Sequence, residues 1–164
     1  ERSSDPADSI AGVSFRHLAM LAQIKSNDDD VWGSLRRSSH LDGEPGDALT
    51  GRMRRMRNWV DGPHFPDAAK IVVQSSVSEE AQTNLTEAHK EFLSTLRKAL
   101  ADCEWTDGAI GDCIRTTIAA TGISGRDAYV ALYWVILGKH HGPKASSLMS
   151  EMSKSGVLSL IGSA

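Results

Sequence analysis

Two adjacent histidines, His140 and His141, lie in a short turn, GKHHGPK, between Lys139 and Lys144. A neutral imidazole nitrogen ligates metals and titrates near neutral pH, so such a pair can form half of a metal site or act as a general base. Both chemistries need further groups, and His17, His40, His64 and His89 share no helix-face spacing with the pair. The plain reading is polar surface. Beside two lysines, the same rings are also donors that could meet phosphates or base edges. Met152-Ser153-Lys154-Ser155-Gly156 has the Ser/Lys content of a loop that steadies nucleotide phosphates. That role needs a parallel-strand nucleotide fold ahead of it, and no such pattern occurs. GxGxxG, GxxxxGK[ST] and GxSxG strings are missing too. Cys103 and Cys113 stand alone, with no second pair and no His at ligand spacing, which argues against a disulfide framework and a zinc finger. No catalytic residue and no metal ligand is assigned.

A different chemistry is suggested by residues 49–60, LTGRMRRMRNWV, which carry Arg52, Arg54, Arg55 and Arg57 and no acid. Residues 79–107 hold seven acids against Lys90, Arg97 and Lys98. The arginine run is either a solvated helix face or a phosphate-contacting strip. The net charge of -3 speaks against a nonspecific nucleic-acid binder held mainly by phosphates, and no DNA partner is expected. With 40% hydrophobic and 24% charged residues, and no apolar run near the roughly 18 residues of a membrane span, a soluble cytoplasmic protein without a membrane partner is expected. Residues 1–9 lack a signal-peptide pattern, and the missing initial Met suggests an excised piece of a longer chain.

These residues must be positioned by helices, because apolar side chains recur at spacings of three and four and nowhere alternate strictly. An all-α helical bundle with short antiparallel connections is expected. At 164 residues the chain is one domain's worth, which buries roughly 70% of its unfolded surface. We divide it into a flexible N-terminal remnant, 1–12, and a helical domain, 13–164, with possible sub-bundles 13–75 and 76–164. The spacing predicts helices over 14–25, with Phe15, Leu18, Ala19 and Ala22 on one face, and after Asn27, burying Val31, Trp32 and Leu35. A loop over 39–47 precedes a helix over 48–60 whose apolar side holds Leu49, Met53, Met56 and Trp59/Val60, leaving the arginines outward. The longest helix is expected over 77–101, with Ser76 and Glu79 as a capping box and Leu85, Ala88, Phe92, Leu96, Ala99 and Leu100 as its stripe. Asp107 can cap another, and Ser124 a central one ending at Gly138, in which Trp134 reads as core and Tyr133 as a stacking surface. Pro143 suits the first turn of a helix to Met152, and a short helix over 157–161 closes the chain.

Two segments together resemble a known family. SFRHLAMLAQIKSNDDDVW, followed by RNWVDG, is similar to the start of the helical C-terminal portion of class I lysyl-tRNA synthetases. GRDAYVALYWVILGKHHGPKASSLMSEM resembles that family's closing segment, where a helix enters a G-K-x-x-G-P-[RK] turn and another helix follows. The likeness extends from Val13 to Ile161. In that register MSKSG falls on a polar break before the last helix, away from the KMSKS loop of the family's catalytic domain. Class I lysyl enzymes are in turn similar here to glutamyl-tRNA synthetases with a helical-cage anticodon domain, and anticodons for lysine and glutamate share a middle U.

The resemblance implies an anticodon-binding domain of a lysine–tRNA ligase. ATP and Mg2+ would serve the intact enzyme's N-terminal catalytic domain, this chain would hold no cofactor, and its partners would be a lysine-accepting tRNA and that domain. By position it implies anticodon contacts from Gly142, Pro143, Lys144, Ala145 and Ser146, with Tyr133 on the preceding helix; Lys139, His140 and His141, read above as donors in the same turn, are expected to join them. The free amides of the following helix would be donors. Arg52, Arg54, Arg55 and Arg57 are assigned to phosphates, without a family motif behind them. Three departures bear on identity: Ala145-Ser146 is small where glutamyl enzymes are bulky, Tyr133 stands where they often have arginine, and Lys144 replaces the more usual lysyl-family arginine. The open alternatives are a helical protein-interaction module, a glutamyl-type tRNA binder without lysine specificity, and a metal enzyme built on His140-His141.

Overall fold

Seven of the helices start on a Ser, Thr or Asn whose side-chain oxygen accepts the backbone N–H three residues on: Ser14, Asn27, Ser78, Thr86, Thr106, Ser124 and Ser153. Each such cap is worth about 1 kcal/mol. The computed structural model describes residues 13–164, so the expected remnant over 1–12 lies outside the described residues. Among these residues are nine α-helices and no strand: α1 (Phe15–Ile24), α2 (Asp28–Arg37), α3 (Asp47–Val60), α4 (Glu79–Asn84), α5 (Glu87–Ala101), α6 (Asp107–Thr121), α7 (Gly125–Leu137), α8 (Ala145–Ser150) and α9 (Lys154–Gly162). A 3₁₀ turn spans Asp67–Ala69. The all-α expectation holds, and no described helix is long and apolar enough to cross a membrane.

The chain forms two compact units that meet in sequence at Ile71/Val72. In the first, α1 packs on α2 and α3. Leu18, Leu21, Val31, Leu35, Leu49, Met53 and Met56 are buried, as are Trp32 and Phe65. Two aromatics depart from expectation: Phe15 is 61% exposed and Trp59 37% exposed.

The second unit is built around α7, which contacts α4, α5, α6, α8 and α9. Ala128, Ala131, Leu132, Val135 and Ile136 are fully buried. A helix that is apolar on nearly all sides has nowhere else to go, and each large buried side chain contributes about 1.5–3 kcal/mol. Trp134, expected in the core, is half-buried, as are Tyr129, Val130 and Tyr133 on the same helix.

The expected long helix is two. Leu85 is extended (φ -80°, ψ 119°) and buries its side chain, and Thr86 opens α5 with a capping box. The box partner is His89, whose Nδ1 accepts the Thr86 amide at 3.1 Å; α4 is capped by Ser78, so the expected box of Ser76 and Glu79 does not form. The stripe of α5 shifts accordingly: His89 and Leu93 are buried, Ala88 and Ala99 exposed. Thr106, not Asp107, caps α6. α8 starts at Ala145 and ends at Ser150, which leaves Pro143 ahead of the helix. α9 starts at Lys154, so MSKSG is its cap and first turn rather than a break.

Candidate nucleic-acid interface

The turn between α7 and α8 is held from beneath. α7 stops at Gly138, whose φ of 67° lies in the left-handed region that glycine tolerates and whose N–H returns to the Trp134 carbonyl at 3.1 Å. The chain then folds back over Tyr133. A Cβ on Gly142 would lie 2.5 Å from Leu137 Cδ1 and 3.1 Å from Tyr133 Cδ1, so any larger residue here must displace the Leu137 side chain. The Tyr133 hydroxyl donates to the Pro143 carbonyl at 2.6 Å. Burial pushes the phenol's pKa up, neighbouring Tyr129 adds to this, and the Ala145 backbone amide only partly offsets it, so the hydroxyl stays a donor. Tyr133 is thus a half-buried strut under the turn; one side of its ring is taken by Gly142.

The rings that face outward are the histidines, both exposed. His140 lies 6.2 Å from Trp134 in a tilted pair, and His141 meets His140 edge-on at 4.9 Å. Together they make a short aromatic stair ending in donor nitrogens. Lys139 is half-buried beside them. Among the described residues no group of three or more His, Cys, Asp or Glu is placed to hold a metal ion.

The far side of the turn is anchored by a carboxylate. Asp107, at the start of α6, accepts the Ser146 and Ser147 hydroxyls, each at 2.6 Å, and pairs with Lys144 Nζ at 3.3 Å. Partial burial raises its pKa, but the two serines and Lys144 outweigh this and hold the carboxyl below its ordinary range. Ala145 and Ser146 are buried, and Ser146 packs beside Gly111 of α6, where a Cβ would meet it at 3.7 Å. Their side chains fix α8; what can reach a ligand here is Lys144, 72% exposed, with the rim of Pro143. Lys154 donates to the Cys103 carbonyl at 2.9 Å and Ser153 caps α9, so MSKSG serves to pack this helix.

The four arginines of α3 divide. Arg57 does not project outward: it is ion-paired with Asp28, and its guanidinium donates to the Ala22 carbonyl at 3.1 Å and the Lys25 carbonyl at 3.3 Å. These are a last-turn carbonyl of α1 and the carbonyl of its C-cap, which need donors. Arg57 is thereby committed to holding α1, α2 and α3 together. Arg54 and Arg55 are exposed, Arg52 is half-exposed, and none of the three has a partner among the described residues. The sequence reading also missed Asp107 as the anchor of α8, because a residue that can cap a helix looks the same as one that reaches across to another.

A family model described as an anticodon binding domain matches residues 47–162, from the first residue of α3 to the last of α9. The chain belongs to the anticodon-binding domain family. Curated relatives of this anticodon-binding domain include the lysine–tRNA ligase of Methanopyrus kandleri, 28% identical over 95% of this chain and 30% of its own length. The lysine–tRNA ligase of Picrophilus torridus is 23% identical over 80% of the chain and 25% of its own length. A glutamate–tRNA ligase of Polaromonas sp. is 28% identical over 50% of the chain and 18% of its own length. The chain thus spans between 25% and 30% of the two lysine–tRNA ligases.

Proposed function

We propose that this domain reads the anticodon of a lysine-accepting tRNA at the α7–α8 turn, as the C-terminal part of a class I lysine–tRNA ligase working in the cytoplasm. The ligation of lysine to tRNA, with ATP and Mg2+, would take place on an N-terminal catalytic domain of the same protein. The observation that carries the reading is the family match over 47–162, together with lysine–tRNA ligase relatives that align along 80–95% of the chain. The geometry of the turn adds its support. Unpaired anticodon bases are recognised by being splayed, stacked and edge-read, and this turn offers exposed rings at His140 and His141, an apolar rim at Pro143 and a cation at Lys144. Lys139 adds charge beside the rings. Gly142, Tyr133, Ala145 and Ser146 act by shaping the turn, and Arg52, Arg54 and Arg55 are left for phosphates.

Lys144 reaches RNA only by leaving or sharing Asp107, since one ammonium has three donors and the pair is solvent-exposed. The test is a titration of the chain against a lysine tRNA and against the same tRNA with its middle U changed to C, at two salt concentrations. Tighter binding to the unaltered tRNA at both salts is expected. Lys144→Ala weakens binding, and Pro143→Ala relaxes discrimination at the middle base. Equal binding that fades with salt would mean only a basic surface, and no binding would favour a protein-interaction module. A glutamyl-type reading is favoured by the glutamate–tRNA ligase relatives from Polaromonas, which align along about half of the chain, and predicts equal affinity for lysine and glutamate tRNAs.

A further inference from the structure

We propose that the first unit carries a second RNA contact of its own: a stacking site in which one unpaired base lies against Trp59 and Phe15 while Arg52 and Arg55 hold the adjoining phosphates. This goes beyond the anticodon reading and does not depend on which base the α7–α8 turn reads.

Phe15, Arg52, Arg55, Met56 and Trp59 line an open cavity of about 490 Å³. Its size falls in the roughly 300–1,000 Å³ range of clefts for single small ligands. Residues 52, 55, 56 and 59 lie at helical spacing on one side of α3, so a single straight helix presents two guanidinium groups, an apolar floor and an indole in a row. Met56 is the buried floor. Trp59 is fixed rather than loose: the buried ring of Phe65 meets it edge-on at 4.7 Å, and Phe15 leans on it at 5.4 Å with 47° between planes. A large apolar pair left exposed in this way costs hydration free energy unless something covers it.

The chemistry of the cover follows from the lining. Among the described residues no carboxylate lines the cavity, and Arg52 and Arg55 have no acidic partner there. An occupant must therefore bring a flat apolar face and negative charge together, within a few ångströms of each other. A nucleotide of a single strand does so, with a base that has a π face and a phosphate at each end. An acidic peptide brings the charge without the plane.

The test uses the whole chain with a short fluorescein-labelled oligouridylate and, separately, a lysine tRNA. Oligouridylate is expected to quench tryptophan fluorescence, and Trp59→Phe to abolish most of that quench while largely keeping affinity by anisotropy. Trp59→Leu should weaken binding at least about fivefold, the low end for losing one base–aromatic stack. Arg52→Gln/Arg55→Gln should weaken binding and lower the slope of log affinity against log salt by roughly 0.7 per lost phosphate contact. The arginine double variant removes only solvent-side charge, so it remains informative if Trp59→Leu perturbs folding. Unchanged affinity in the double variant, with helical circular dichroism intact, overturns the proposal. On tRNA, these variants are expected to lose affinity but keep the middle-base preference. A wild-type chain without that preference, yet quenched by oligouridylate, would sink the anticodon reading alone; a preference untouched by patch variants that bind normally would sink this one alone.

Discussion

Gly142→Ala is a change of one methyl group, and its consequence can be worked from the turn itself. Gly142 does not have positive φ, so alanine is not excluded by backbone conformation. Alanine would even reduce the freedom of the unfolded chain, a gain of about 0.4–1 kcal/mol where the native backbone accepts it. Against this stands the added Cβ, 2.5 Å from Leu137 Cδ1 and near 3.1 Å from the Tyr133 ring. Leu137 is 4% exposed and Tyr133 is tied by its hydroxyl to Pro143, so neither can yield without moving its neighbours. Overpacking of this kind costs about 1–3 kcal/mol; because the buried Leu137 and the tethered Tyr133 put this site toward the upper end, the net loss is about 1–2.5 kcal/mol. Urea denaturation followed by circular dichroism measures the loss. A titration with lysine tRNA should show the middle-base preference reduced as well, because the turn must lift off Tyr133. A Gly142→Ala chain as stable as wild type, with unchanged preference, would refute the claim that close backbone approach shapes this turn.

Arg57→Ala should destabilise the chain by about 1–3 kcal/mol, through an unpaired Asp28 and undonated α1 carbonyls, and leave the tRNA affinity of the folded protein unchanged. A urea series beside the binding titration separates the two. Asp107→Asn removes a carboxyl whose folded pKa is held below its ordinary value of 3.8, so its stabilising effect is complete above that value and lost as pH falls through the lower folded pKa. The stability gap between wild type and Asp107→Asn, measured by urea unfolding, should therefore shrink on acidification and be widest near neutrality. Desolvation, then the Cys113 side chain, push the Cys103 thiol up to about 11. Iodoacetamide at about pH 8 should alkylate it on the order of 100-fold more slowly than an unperturbed thiol, as mass spectrometry of timed samples would show.

Local patterns in the sequence determined the helical class, the caps at Asn27 and Ser124, the stop at Gly138 and the central burial of α7. These are written within a few neighbouring residues, as the period of apolar positions or as one polar oxygen beside three free amides. The break at Leu85-Thr86 escaped because Leu85 continues the apolar spacing of a helix while adopting an extended backbone. In the candidate site, the turn was legible from GKHHGPK, and the family match now covers it. What each residue does there was not. Tyr133 became a strut and Ser146 a buried ligand of Asp107 only once α6, α7 and α8 had come together. The same holds for α3, where four arginines with one local setting divide according to what other helices bring. Asp28 and the end of α1 claim Arg57, whereas Arg52 and Arg55 line an open cavity with Phe15, Met56 and Trp59 and have no acidic partner among the described residues. Residue spacing says which face a side chain leaves from; only the partners that tertiary packing places opposite it decide whether its charge is spent inside the protein or kept for a ligand.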